Sequence, residues 1–325
     1  MGRPWLLLLA LAAALNSSAA EPGGSSAYDN ERLLRADGGV LRVHVIDAPS
    51  PARADELQRW LAGAAEAMLT AYGRFPLPEA TVRIEQSQRR STSPVPWGQT
   101  LRRDGVSVLL YVRGDAGYAE LRDDWTAVHE LAHLFHPYLG DDGRWLAEGL
   151  ASYYQNVLRA RAGLLTPEQA WDKLDAGFGR GRRENSGAPL DEISRRHRGT
   201  MRVYWAGAAY WLEADLSLRR HGSNLDTVLS QYARCCLHGT GAVRPQAFVA
   251  ELDRIAGGDD FQRRWRRYAA SREFPSLDAS YTALGLEPVG DGLRFSDRRD
   301  AVRLRQAITG PRPARTGTGP ATRPR

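Results

Sequence analysis

Apolar positions along the chain change period several times, and each change predicts an element. Trp5 to Leu15 is a continuous short apolar run, preceded by Arg3 and followed by Ser18-Ala19-Ala20. A positive end, an apolar run and a small-residue cleavage site are the pattern of a secretory signal over residues 1–20. The run is too short to span a bilayer, and no cysteine follows it, which argues against a lipoprotein anchor. Residues 21–38 are small and polar and read as a flexible leader. Val40 to Ile46 then reads as a strand rich in β-branched residues. A helix opens at Pro51, with Leu57, Trp60, Leu61, Ala64, Met68 and Tyr72 recurring near a period of 3.6. Phe75-Pro76-Leu77-Pro78 ends it. Val82 and Ile84 alternate inward on a second strand over Thr81 to Glu85, and residues 87–104 read as a Ser, Pro and Arg-rich loop. Val106 to Val112 is a third strand; as an edge strand it would offer an extended substrate a backbone to pair with, and a central position fits the pattern equally well.

Helical patterns dominate afterwards. One covers Trp125 to Phe135, apolar on most sides, and stops at the turn cluster Pro137, Gly140, Asp141, Asp142, Gly143. A second starts near Arg144 and carries Leu146, Leu150, Tyr153, Tyr154 and Val157. Thr166-Pro167-Glu168-Gln169 is a capping box that starts a helix through Leu174. Residues 176–199 are Gly and Arg-rich and read as a long loop over the site. Helices follow over Met201 to Leu218, Leu225–Cys236, Pro245–Ile255 and Phe261–Tyr268, then short strands and turns over 276–308. Pro311 to Arg325 holds few residue types and reads as a disordered tail over 309–325. The mature part divides into a β/α subdomain over 39–124 and a helical catalytic subdomain over 125–275.

Charge changes this picture little. The formal net charge is +6, but Lys173 is the only lysine and the arginines are interspersed with Asp and Glu. That is a solvated mixed-charge surface, not a nucleic-acid patch. No later stretch is long and apolar enough for a transmembrane helix, so an exported protein, periplasmic or secreted, is expected. Cys235 and Cys236 are adjacent. A bridge between neighbours is strained, so no internal disulfide is expected and the two read as small core residues on a helix, with an intermolecular bridge as the alternative.

Chemistry concentrates at His129-Glu130-Leu131-Ala132-His133. On a helix, residues four apart share a face, so two neutral imidazoles can bind one Zn²⁺. A third protein ligand then leaves a position open for water. Glu130, beside the first histidine, can reach that water as general base. In a buried helix, two histidines and a carboxylate need partners, and a metal would satisfy all three. Glu148 sits in the first turn of the next helix, and a helix–turn–helix pair can bring it back over the histidines.

With Trp145-Leu146-x-Glu148-Gly149-x-Ala151-Ser152-Tyr153, the pattern resembles the gluzincin metallopeptidases, in particular the aminopeptidase N and glycyl aminopeptidase families. The resemblance covers roughly residues 100–270. It implies an α+β fold: a thermolysin-like zinc peptidase catalytic domain with a small N-terminal sheet and a mostly helical C-terminal half. It implies Glu148 as third zinc ligand, and Tyr204, in Tyr204-Trp205-Ala206-Gly207-Ala208, as oxyanion donor. The expected function is hydrolysis of peptide bonds in a peptide or protein substrate. Three departures stand out. The spacing from His133 to Glu148 is short for the aminopeptidase N family. No Gly-rich segment with a Glu, which grips a free amino terminus in aminopeptidases, precedes His129; Pro96-Trp97-Gly98-Gln99 lies there instead. Ala206 replaces the usual Lys.

Of the remaining polar residues, His136 reads as an exposed helix-end histidine, with a contact to a zinc ligand or to substrate as the alternative, and His197 as part of a solvated basic loop, with donation to a transition state or a substrate carboxylate as the alternative. Ser152 is placed to orient a zinc ligand. No G-x-S-x-G elbow is present, which argues against a serine hydrolase. Two other functions fit the scaffold. One is a non-catalytic peptide-binding protein, against which the intact Glu130 argues. The other is a zinc hydrolase of a non-peptide bond, as a leukotriene-processing relative of the family suggests.

Overall fold

The structure, a computed structural model, describes residues 28–312 except 89, 185, 186 and 291. The expected signal, the start of the leader and the tail beyond 312 lie outside the described residues. A five-stranded sheet comes first. Strands β1 (Tyr28–Ala36) and β2 (Gly39–Ala48) form an antiparallel hairpin, and helix α1 (Pro51–Leu69) crosses over to β3 (Glu79–Ser87), parallel to β2. Strand β4 (Trp97–Leu101) runs antiparallel to β5 (Ser107–Arg113), which is parallel to β3. The order in space is β1-β2-β3-β5-β4. Alternate residues of β2, β3 and β5, such as Val43, Val82 and Leu110, are fully buried, while the opposite face carries charged pairs such as Arg42–Glu31. One covered face explains why these strands alternate although three of them run parallel.

Helices make up the rest, apart from one hairpin: α2 (Tyr118–Asp123), α3 (Thr126–Ala132), α4 (Arg144–Arg161), α5 (Pro167–Arg183), α6 (Leu190–Arg195), α7 (Thr200–Arg220), α8 (Leu225–Cys235), α9 (Pro245–Ala256), α10 (Asp260–Ala270), α11 (Asp278–Leu284), β6 (Leu286–Val289), β7 (Gly292–Phe295) and α12 (Arg299–Thr309). The molecule is therefore mixed α+β, with a sheet at the amino-terminal side and helices beyond it. Helix α4 packs along α7 at its centre, where Trp145, Tyr153, Tyr210 and Trp211 are buried. The two helices meet backbone to backbone: a Cβ on Gly149 would collide with the Gly207 backbone, and one on Gly207 with the Trp145 carbonyl. Trp211 Nε1 donates to the Leu146 carbonyl across the same contact, at 2.8 Å. No helix among the described residues is long and apolar enough to cross a membrane.

Several expectations need correction. The leader assigned to 21–38 contains β1, whose Arg and Glu residues lie on an edge strand where polar side chains are tolerated. The loop assigned to 87–104 contains β4, so Val106 to Val112 is an interior strand and β4 is the edge. Residues 176–199 are not one long loop. Helix α5 continues to Arg183 because Gly177 and Gly181 sit one turn apart where the Trp205 and Phe274 rings occupy the Cβ space. Residues 276–308 contain two helices flanking the β6–β7 hairpin. The tail's first residues are ordered: the Arg312 amide donates to the Arg161 carbonyl at 2.9 Å. Cys235 and Cys236 form a disulfide, with Cys235 exposed and Cys236 half-buried, so they are not small core residues. The bridge is local, at the carboxyl end of α8, where the helix no longer dictates the backbone.

Candidate metal centre

Helix α3 is short. The Thr126 amide donates to Asp124 Oδ1 at 2.7 Å to start it, and a 3-10 turn, His133–Phe135, finishes it. Both histidines of the motif are buried on it, His133 as its last capping residue. Helix α4 returns from the turn and presents Glu148 from its second turn. His129 Nε2 lies 3.3 Å and His133 Nε2 3.5 Å from the same oxygen, Glu148 Oε2. The three ligand atoms fall within 4.8 Å of one another, close enough to share one metal ion.

The outer ring nitrogens are all tied off, and this fixes which atoms face inward. Gln155 Oε1 lies 2.8 Å from His129 Nδ1 and can only accept, so Nδ1 carries the hydrogen. His136 Nδ1 donates to the Pro137 carbonyl at 2.6 Å. Burial, with His133 and Arg102 beside it, holds His136 well below the usual histidine range, so the ring is neutral. Its Nε2 is then an acceptor, and His133 Nδ1 donates to it at 2.9 Å. Both inner Nε2 atoms are thereby left as donors of a lone pair to a metal. Burial opposes the charge on Glu148, but His133 and His129 hold its carboxyl well below the usual range. Burial likewise opposes charge on His129, yet its bond to Glu148 and the charges of Glu130 and Glu148 raise it. The same negative charge that favours a proton on His129 would favour a divalent cation between the three groups.

Glu130 projects from α3 toward β4. Thr100 Oγ1 lies 3.0 Å from its Oε2 and 2.9 Å from its backbone carbonyl, and shares its one hydrogen between them. Gly98, on the same side of β4, leaves the space the carboxylate uses: a Cβ there would stand 2.7 Å from Glu130 Cγ. Tyr204 comes from α7, one turn before Gly207. Its ring lies parallel to that of His129, with centroids 5.9 Å apart. Burial and the Glu148 charge push its phenol well up, so it remains a donor. The close approach at Gly149 and Gly207 is what brings Glu148 and Tyr204 to one place.

These groups line a cleft of about 550 Å³, walled by β4 on one side and by Tyr138 to Arg144 on the other. A wider hollow of about 740 Å³ lies far from it, at the carboxyl ends of β2, β3 and β5. All five expected site residues, His129, Glu130, His133, Glu148 and Tyr204, therefore meet. His136 is buried, which corrects the exposed helix-end reading, and it holds His133, as the alternative reading had it. Gln155, rather than Ser152, orients His129. It lies two turns beyond Glu148 on α4, and a Gln at that spacing in an apolar stripe was the available signal. Arg102 also escaped notice; it donates to the His133, His136 and Gly239 carbonyls at 2.9, 2.5 and 2.9 Å. His197 is exposed at the rim, with Nε2 3.1 Å from Asp141 Oδ1.

A family model described as M61 glycyl aminopeptidase matches residues 135–195, a segment that contains Glu148 and lies between His133 and Tyr204. No curated protein matches the sequence significantly. Among solved structures, an aminopeptidase N family protein from Idiomarina loihiensis superposes with a TM-score of 0.59 at 15% identity, over 79% of this chain and 49% of that one. Yeast LTA4 hydrolase, solved with bestatin, gives 0.50 at 13% identity, over 78% of this chain and 43% of its own. The chain thus spans about half the length of the structures it matches. It resembles the glycyl aminopeptidases in the sequence around Glu148 and the aminopeptidase N family in fold across most of its length.

Proposed function

We propose that the chain is a thermolysin-like zinc peptidase catalytic domain that hydrolyses peptide bonds with Glu130 as general base. The observation that carries this is the convergence of two imidazole nitrogens on one Glu148 oxygen, at 3.3 and 3.5 Å, with their outer nitrogens fixed by Gln155 and His136. Two neutral imidazoles and a carboxylate suit zinc, which takes three protein ligands in catalytic sites and keeps a fourth position open. His129, His133 and Glu148 would hold it. Bound there, zinc supplies Lewis acidity, acidifying a water and polarising a carbonyl.

The chain's own residues do the rest. Thr100 occupies one oxygen of Glu130, which leaves the other to take the proton of the attacking water and pass it to the leaving amine. Tyr204 donates its hydroxyl hydrogen to the carbonyl oxygen as negative charge develops there. The outer side of β4 is the last in the sheet, so an extended peptide can pair with it and lie across Glu130. We also propose that residues 1–20 direct export, on the strength of their charge and apolar pattern. Glu130→Gln tests the mechanism. Digestion of a mixed peptide pool should fall about 10²- to 10⁴-fold, while elemental analysis still finds one zinc per chain. Undiminished digestion by that variant would overturn the assignment.

A further inference from the structure

The charges in the cleft point to a substrate property that the resemblance does not. A site that grips a substrate's free ammonium needs a carboxylate to spare. Three carboxylates line this cleft: Glu130, Glu148 and Asp141. Glu148 faces the two histidines, Glu130 accepts from Thr100 beside the reacting position, and Asp141 pairs with His197 at the rim. Each lining carboxylate thus already has a polar partner within the chain. Of the two lining arginines, Arg102 spends its guanidinium on three backbone carbonyls. Arg144 differs. Its Nη1 is buried with no hydrogen-bond partner among the described residues. Its guanidinium carbon stands 5.7 Å from the centre of the Tyr204 ring, against the group that would face the scissile carbonyl. The side chain lines the cleft with its charge not matched by any carboxylate among the described residues, and the part of its planar fork that faces the cleft suits a substrate carboxylate.

We propose that Arg144 selects substrates that carry a carboxylate close to the cleaved bond, either the peptide's own C-terminus or an Asp or Glu side chain. This rests on the peptidase reading above. An extended peptide advances about 3.3–3.6 Å per residue. Because Arg144 stands beside the Tyr204 ring, a carboxylate on it falls about one or two residues from that bond. The chain then favours peptides with an acidic residue or the C-terminus close to the cut.

The test uses the full chain loaded with zinc and synthetic pentapeptides of one core sequence. They are made as C-terminal acids, as C-terminal amides, and as amides with a single Asp walked along the sequence, each with a free or acetylated amino terminus. Peptides with a carboxylate one or two residues from the cut should be hydrolysed with a kcat/KM about 10- to 100-fold above the all-amide forms. Acetylation should leave that ratio unaltered. The C-terminal acid and the walked Asp tell the two carboxylate sources apart. In Arg144→Met the acid-to-amide ratio should fall to near one, and in Arg144→Lys it should fall part way. Equal cleavage of acids and amides, or a preference that survives Arg144→Met, would overturn the proposal. If no peptide is cut, the peptidase reading fails, and binding decides this one separately. Calorimetry of the same acids and amides on the Glu130→Gln chain should still favour the acids, and the added Arg144→Met change should remove that preference. No preference in binding overturns it.

Discussion

The inner nitrogens of His129 and His133 are available only because each outer nitrogen has a partner that cannot be exchanged for water. Removing a partner frees the ring to rotate or to switch its hydrogen to the inner side. Gln155→Ala and His136→Ala should therefore each weaken zinc binding by about 10- to 100-fold, measured by competition with a chromophoric chelator. His136→Phe, which keeps the ring and loses the acceptor, should be as damaging as the alanine. Unchanged affinity in all three would mean that packing alone orients the rings. The histidines and Glu130 were legible in the sequence because a spacing of four on a helix is a local property. His136 was not. Arg102, just past the end of β4 and far back in the chain, donates to the carbonyls of both His133 and His136 and fixes the backbone there. No pattern around residue 136 could reveal that.

Helices α4 and α7 touch through glycine, and that contact sets the separation of Glu148 and Tyr204. A methyl group at Gly207 has no room beside the Trp145 carbonyl, so α7 must shift. Gly207→Ala should cost about 1–3 kcal/mol in urea denaturation and lower kcat by more than the stability loss explains, because Tyr204 moves with the helix. A variant with native kcat and native stability would show that the crossing is loose. Long amphipathic elements such as α1 and α7 were plain from period alone. The misread elements share a physical reason. Strands β1 and β4 are sheet edges, where one side of the backbone is solvated and polar side chains are allowed, so their composition imitates loops. The end of α5 was hidden by Gly177 and Gly181, which weaken helix propensity but admit the Trp205 and Phe274 rings.

On the scale of the whole molecule, Asp226 ties distant segments together. Its Oδ1 accepts from Tyr154 and Arg161 of α4 at 2.9 and 3.1 Å, and its Oδ2 from Arg312 beyond α12 at 2.8 Å. Burial opposes its charge, but Arg161 and then Arg312 hold its carboxyl below the usual range. A folded-state value below the unfolded one gives stability that is complete above the unfolded value, roughly pH 4, and fades as the pH falls toward the folded value. Acid titration followed by circular dichroism should show this loss, and Asp226→Asn should remove about 3–5 kcal/mol at neutral pH by leaving Arg161 buried without its counter-charge. Zinc should act in the same sense: a chelator should lower the melting temperature of the native chain, and much less that of Glu148→Ala. The glycine-to-glycine contact has a last consequence, for how such a protein could diversify. Nothing stands between those two backbones that a substitution could lengthen or shorten, so the bore of the cleft on that side is not adjustable. New substrate ranges would have to be acquired from the facing rim, where the half-exposed rings of Trp97 and Tyr138 can be exchanged without disturbing either helix.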